Sequence, residues 1–459
     1  MGRSIVADES VQSHIGTFFG KEKWLIGLII GQLTHQKDYA VHVIRSPKPD
    51  PSDAAAVDED ASPHKPSSEP PDRLANVDEH YIATHAKQVQ RMLPGGLKVI
   101  GIFALAPPDM MNDAQVKLRQ VLYSIHKSLT KGLASFIPSQ EGEITDRVLL
   151  QICSLSRKLT CRTFDAADPK CSARPADWKY QQFAASWPCV ESSVGIDITI
   201  PVSRKNSSLS LMKQIQSGVR PLCENIWNSL ATVDGQLVQG SSPLDASQPS
   251  RRKRGKGEEQ EAAQKFSANL YIHCKSQGVS DPVLTDCTAK LHLRGRMLCR
   301  AYVHSKATTE EATQALKTDV IRSLLSRCEL MYEEIMQTEE GQDARVLYET
   351  PRRVFGQLPG TSLSLCDYVF PDEAVSDCLE RLQELADLHL DEESLEADLE
   401  PLPSEEDLQK PPQTLEEETA TPENPEEQHS TSVGVLGMVV GGAVAALAAA
   451  LSYMFLGQE

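Results

Sequence analysis

Trp24-Leu-Ile-Gly-Leu-Ile-Ile30 carries no charge and is closed by Gly31. It is too short for a core helix and rich in isoleucine, so it reads as a strand buried on both faces. Working outward, residues 39–44, set between Lys37-Asp38 and Pro47, give a second strand. Residues 46–72 are rich in Pro, Ser, Asp and Ala and are expected to form a disordered loop. Residues 76–93 follow as a helix, with Asn76 and Glu79 at capping-box spacing and Ile82, His85 or Ala86, Val89 and Leu93 on one face. Pro94-Gly95-Gly96 ends it, and residues 97–106 are a further buried strand. Residues 109–129 predict another helix, whose apolar residues are Val116, Leu118, Val121, Leu122 and Ile125.

Farther along, residues 148–155 and 158–164 read as a β-hairpin turned at Ser156-Arg157. Val194, Ile196, Ile198 and Ile200 alternate as a half-buried strand requires. Residues 203–265 look least structured, and their basic run at 251–256 reads as a solvated loop. Strands return at 266–273 and 291–303. Thr308 and Glu311 then cap a long helix with a stripe of Ala312, Leu316, Val320, Leu324, Cys328, Met331 and Ile335. A strand at 361–370 and an amphipathic helix at 372–390 close the ordered part. The fold class expected is α/β with a mixed sheet. The expected divisions are an N-terminal α/β domain at 1–203, a variable linker or loop at 204–265, and a C-terminal α/β part at 266–390. An acidic disordered stalk at 391–432 and a transmembrane helix at 433–456 complete them.

The charge is uneven. The 459 residues carry a net charge of −18, yet residues 371–430 hold 21 acidic residues against Arg381 and Lys410. The remainder is close to neutral, without the long-range positive field that draws nucleic acid, so no nucleic-acid partner is expected. The 11 cysteines are odd in number and contain no Cys-x-x-Cys pair, which favours reduced, buried thiols in a cytosolic domain over zinc ribbons or disulfides. The first twenty residues are too polar for a signal peptide, and Val6 breaks the myristoylation motif that Gly2 would begin.

Residues 433–456 run for 24 positions without a charge and are followed only by Gly457, Gln458 and Glu459. As a helix they would extend about 36 Å, enough to cross a bilayer. They predict a tail anchor, inserted after translation, with the large N-terminal region in the cytosol. The lack of Lys or Arg after Lys410 favours the endoplasmic reticulum over the mitochondrial outer membrane. Gly437, Gly441 and Ala445 form a small-residue stripe suited to close helix packing. A segment this rich in Ala and Gly also contains such spacings by chance.

The motifs of catalysis are missing from the sequence. His80 and His85 share the first helix but stand five residues apart, about 140° around it, where a zinc-binding pair needs four. His14, His35 and His42 fall on separate elements. There is no Gly-x-Ser-x-Gly, phosphate-binding loop or dinucleotide fingerprint. No catalytic, cofactor-binding or metal-binding residue is therefore assigned, no cofactor is expected, and a cysteine or metal hydrolase is the third reading of function. The most unusual stretch is the loop 168–180, where Arg174, Asp177, Trp178 and Tyr180 are the candidate partner-binding residues. The alternative is that this loop folds back onto its own domain through Trp178.

Five runs carry a family resemblance. They are Met92-Leu-Pro-Gly-Gly-Leu97, Cys161-Arg-Thr-Phe-Asp165, Ser172-Ala-Arg-Pro-Ala-Asp-Trp-Lys-Tyr180, Cys299-Arg-Ala-Tyr-Val-His304 and Leu365-Cys-Asp-Tyr368. In this order, and with the terminal apolar segment, the chain resembles the odorant-response-abnormal protein four family. The resemblance implies an endoplasmic reticulum membrane protein that helps deliver some G-protein-coupled receptors to the cell surface. It also implies that the protein holds the protease of the ubiquitin-fold modifier at the membrane. Beneath it, Gly27-Leu-Ile-Ile-Gly31 and Val99-Ile-Gly-Ile-Phe103 resemble the start of an MPN domain. Metalloproteases of that fold continue into a His-x-His metal motif where this chain has Phe103-Ala-Leu-Ala106. The implied domain is MPN-like and lacks metal ligands. The expected function is a tail-anchored adaptor that localises a soluble partner. The alternative is a trafficking factor that acts directly on receptor cargo through its membrane helix.

Overall fold

The structure, a computed structural model, describes residues 2–48, 71–133, 135–138, 143–203, 208–238, 242–244, 263–272, 287–338 and 350–401. Most of the loop expected at 46–72, the basic run 251–256, residues 402–432 of the stalk and the segment 433–456 with Gly437, Gly441 and Ala445 lie outside them. Among the described residues no helix is long and apolar enough to cross a membrane.

The opening run becomes β2 (Leu25–Gln32), and its burial on both faces is explained by a closed barrel. The barrel order is β1 (Ser4–Ala7), β3 (Asp38–Arg45), β2, β4 (Lys98–Ala106), β5 (Asp146–Cys153), β6 (Leu159–Asp165) and β7 (Arg174–Tyr180). Leu25 and Ile29 point into an interior shared with Phe103, Leu150 and helix α1 (Glu9–Gly16). Ile26, Leu28 and Ile30 face outward against α2 (Glu79–Arg91) and α4 (Gln115–Leu133). Asp8 starts α1 by accepting from Ser10 N at 3.0 Å, and its second oxygen accepts from the amides of Phe183 and Ala184 at 2.9 and 2.8 Å. One carboxylate thus fixes both a helix start and the exit from β7.

A second sheet has the order β10 (Gln236–Leu237), β9 (Leu230–Val233), β11 (Lys265–Tyr271), β8 (Cys189–Ser203), β12 (Cys287–Tyr302). Helices α5 (Leu211–Trp227) and α6 (Thr309–Thr338) cover it around a separate apolar core. The capping box read at Thr308 is formed, with Thr308 N to Glu311 Oε2 at 2.8 Å and Glu311 N to Thr308 Oγ1 at 3.1 Å. The stripe from Ala312 to Met331 is buried. A third sheet, β14 (Ser364–Val369), β13 (Arg352–Gln357), β15 (Leu395–Glu396), lies under α7 (Val375–Ala386) and joins the core that backs the barrel.

Several expectations are corrected. The division at 203/204 cuts an antiparallel ribbon, because β8 pairs with β12 from Cys189–Tyr302 to Ser203–Cys287. Within 204–265, Leu211–Trp227 is helical rather than linker. Ile215, Val219, Cys223 and Ile226 are its buried face, and a Cβ on Gly218 would stand 2.3 Å from Ile200 Cγ2, so the glycine lets helix and sheet approach. The loop expected at 168–180 ends in β7. The helix expected from Asn76 is started instead by Asp78, which accepts from His80 N at 2.8 Å, and Asn76 lies in a preceding 3-10 turn. The helix expected at 109–129 is two, α3 (Pro108–Asp113) and α4, and Val116 is 69% exposed rather than in the core. The stalk does not begin at 391, since residues 391–401 are built into the fold.

Candidate protein-binding site

The five runs of the resemblance gather into two places. Cys161–Asp165 and Ser172–Tyr180 lie side by side, with Cys161, Arg162 and Thr163 paired to Ala176, Pro175 and Arg174. The loop before β7 is held on α4, where Arg119 donates to Cys171 O at 2.7 Å and Tyr123 OH donates to Asp168 O at 2.9 Å. Strand alternation then divides the candidate residues. Arg174, Trp178 and Tyr180 share one face, and Asp177 lies on the other. Arg174 pairs with Asp146 at 3.1 Å. Trp178 and Tyr180 are half-buried against the barrel interior, their rings edge to face with centroids 6.2 Å apart. Asp177 is 75% exposed and 3.8 Å from Lys179. The fold-back through Trp178 and the exposed polar edge are therefore two faces of one strand.

The other three runs meet at the seam between the barrel and the second sheet. Gly95 N donates to Arg300 O at 2.8 Å and Tyr302 N to Gly95 O at 2.9 Å. Gly96 has φ +78°, and a Cβ on Gly95 would come within 2.3 Å of Ala315 O, so this close docking requires glycine. Cys366 N donates to Met92 O at 2.8 Å. Arg322 reaches Pro94 O at 2.9 Å.

Beneath this contact lies a buried charge network that the sequence reading did not anticipate. Arg353 binds Asp319 through two hydrogen bonds, 2.7 and 3.0 Å, and Asp319 also accepts from Arg300 N at 2.9 Å. Arg300 binds Glu396 at 2.7 Å and Glu191 at 2.7 Å. Glu400 accepts from Arg327 Nη2 through both oxygens at 2.7 Å, and from the amides of Leu298 at 2.7 Å and Arg353 at 2.8 Å. The guanidinium groups of Arg300 and Arg353 lie over the Phe355 ring, 4.3 and 5.0 Å from its centroid. Burial opposes the charge on Arg300 and Arg353, but Glu396 for the first and Asp319 for the second hold both above the ordinary arginine value. Glu396 itself is pulled below the ordinary carboxylate range by its hydrogen bonds from Arg300. The acidic segment thus enters the fold as a strap: residues 395–401 lay one short strand on β13 and supply two carboxylates to α6 and β12. Charged residues at buried positions of α6, at Asp319, Arg322 and Arg327, were the available signal.

His14 and His42, which the sequence sets on separate elements, stack with ring centroids 5.0 Å apart, and His14 Nε2 lies 3.6 Å from Asp387. His80 is exposed, whereas His85 is buried between Ser46 Oγ at 3.1 Å and Leu385 O at 2.8 Å. Burial pushes the thiols of Cys161, Cys189, Cys223, Cys328 and Cys378 up to about 12, far from a neutral-pH nucleophile. Among the described residues no group of three or more His, Cys, Asp or Glu is arranged to hold a metal ion. A groove of about 1100 Å³ runs between α2, α7 and the ends of β2 and β3, with Lys48 and Pro71 on its margin. Glu22, Arg45, Asp387 and His389 are among its lining residues, and Arg45 pairs there with Glu22 at 3.3 Å.

Residues 27–397 match the profile of the family described as odorant response abnormal 4-like. A protein odr-4 homolog from Mus musculus is 34% identical over 469 residues, covering 99% of each chain. One from Xenopus laevis is 32% identical over 472 residues, covering 99% of this chain and 100% of that one. One from Drosophila melanogaster is 20% identical over 446 residues, covering 88% of each. Among solved structures, the crystal structure of UfSP from C. elegans is similar with a TM-score of 0.42 and 10% identity, covering 84% of this chain and 57% of that one.

Proposed function

This chain belongs to the odorant response abnormal 4-like family, and from that premise we propose that it is a tail-anchored adaptor of the endoplasmic reticulum. The folded part binds a soluble protein, and residues 433–456 fix the pair at the membrane. The family resemblance nominates the protease of the ubiquitin-fold modifier as that partner and links the activity to surface delivery of some G-protein-coupled receptors. The N-terminal barrel is read as an MPN-like domain of the pairing type, because Phe103, Ala104, Leu105 and Ala106 are all fully buried where the metalloproteases carry ligands.

The observation that carries this reading is the strap. Glu396 and Glu400 are tied to Arg300 and Arg327, so the described part of the acidic tract is held to the fold as far as Glu400. Residues 402–432 then separate that point from an uncharged segment of membrane-spanning length. A clamped segment followed by an acidic spacer suits a tether, which raises the effective concentration of a bound partner beside membrane substrates.

The test compares the full chain with one ending at residue 401 in cells. After a carbonate wash the full chain should stay in the membrane pellet and retain its soluble partner before the wash, while the shortened chain should be soluble yet still capture the partner. A shortened chain that stays in the washed pellet contradicts the tail anchor. A shortened, folded chain that no longer captures the partner contradicts the adaptor.

A further inference from the structure

The ladder between β6 and β7 holds only three pairs, ending at Cys161–Ala176. Beyond it, β7 changes neighbour and pairs in parallel with β1, from Ser4–Asp177 to Ala7–Tyr180. Asp177 N donates to Arg3 O at 3.1 Å and Gln181 N to Ala7 O at 2.9 Å. In a parallel pair alternate residues bond to a given neighbour. The amides and carbonyls of Trp178 and Tyr180 therefore face the other side, where the described ladder with β6 has already ended. Continuing that antiparallel register would set Leu159 against Trp178 and Lys158 against Lys179. Like charges directly opposite each other disfavour pairing, so the sequence itself opposes closing this gap.

We propose that the free side of β7 takes an extended, acidic segment of a partner protein by strand addition. The segment alternates apolar and acidic residues. Its backbone bonds the free groups of Trp178 and Tyr180. Its apolar side chains meet the half-buried rings of these residues and Leu159. Its carboxylates lie over Lys158 and Lys179 on the outer face, both exposed. This inference rests on the reading that the folded part of the chain binds a protein, and it names the edge and the chemistry.

The probe is a short synthetic peptide of alternating valine and glutamate, titrated into the full chain in detergent. Controls are the same peptide with lysine for glutamate and a form N-methylated along its bonding edge. The acidic peptide should bind at least about tenfold more tightly than either control. It should also slow exchange of the amides of Trp178 and Tyr180, which face away from β1. The double variant Lys158→Glu, Lys179→Glu should prefer the lysine peptide, a gain that misfolding cannot imitate. The proposal is overturned if the acidic peptide does not bind, if it binds without protecting the amides of Trp178 and Tyr180, if the charge preference stays unreversed, or if those two amides are already protected without peptide. Partner capture by the same variant in cells keeps the two readings apart. Capture that persists although peptide binding is lost removes this edge from the partner interface and leaves the adaptor standing. Loss of both supports the edge.

Discussion

In the barrel interior Ile29, Phe103 and Leu150 are fully buried against one another with no charge among them. At the seam, Asp319 and Arg353 are equally removed from water, at 0 and 1% side-chain exposure, but hold each other by two hydrogen bonds. Apolar packing is tolerant, because neighbours relax around a change of shape. A buried ion pair is not, because either partner left alone keeps its desolvation cost. The barrel is thus built to persist, and the seam is built to be specific about which segments meet: β12, α6, β13 and the strap.

The largest expected effect breaks the seam. Asp319→Ala leaves Arg353 without its carboxylate and should destabilise the folded part by about 3–5 kcal/mol, read as a lower urea midpoint. The double change Asp319→Leu, Arg353→Leu should recover most of that loss if the pair serves specificity. A double variant as weak as the single one would mean that the pair itself supplies the stability. In the barrel, Leu150→Ala should cost about 2–4 kcal/mol through the cavity it leaves. An equal loss from a conservative Leu150→Met exchange would show the barrel to be as exacting as the seam.

A smaller effect depends on pH. Burial, with the His14 ring stacked 5.0 Å away, pushes His42 down to about 3 from 6.5. Below pH 6.5 the unfolded chain takes up a proton that the folded chain refuses until about pH 3. Stability contributed by neutral His42 is complete above pH 6.5 and falls through that window by up to about 1.4 kcal/mol per unit. His42→Gln should flatten the slope of urea midpoint against pH between 6 and 4, and an unchanged slope would place the proton uptake elsewhere. The smallest effect is expected at Asp177→Ala. Its carboxylate is 75% exposed, so stability should move by no more than about 0.5 kcal/mol. A larger loss in thermal melting would make this residue part of the barrel's own support.

The same contrast decides what the sequence could tell. Periodicity identified β2, β3, β4 and the buried stripe of α6, because each buries a local pattern of apolar side chains. The sequence of β7 reads as a loop, since two prolines and alternating charges hide a strand that is exposed along one face. Gly218 and Pro221 masked α5, although Ile215, Val219 and Cys223 repeat every fourth residue. The seam was illegible for a different reason. Asp319, Arg353 and Glu400 are far apart in the chain, and each looks like an ordinary surface charge until the fold brings them together. Glu396 and Glu400 are doubly hidden, because they stand within a run of acidic residues whose composition reads as solvated throughout. The candidate residues of β7 were found by composition, but their division between two faces needed the strand.

Residues 395–401 help to hold the fold together. The direct measurement is thermal melting of two shortened chains, one ending at residue 401 and one at residue 394, followed in the same buffer. The first retains Glu396 and Glu400, and the second loses both carboxylates together with the short strand on β13. The strap predicts that the chain ending at 394 melts lower by roughly 5–10 °C, as the loss of the buried Glu400 contact and the half-exposed Glu396 contact implies. Equal melting temperatures would contradict the strap, leaving residues 395–401 without a part in holding the fold.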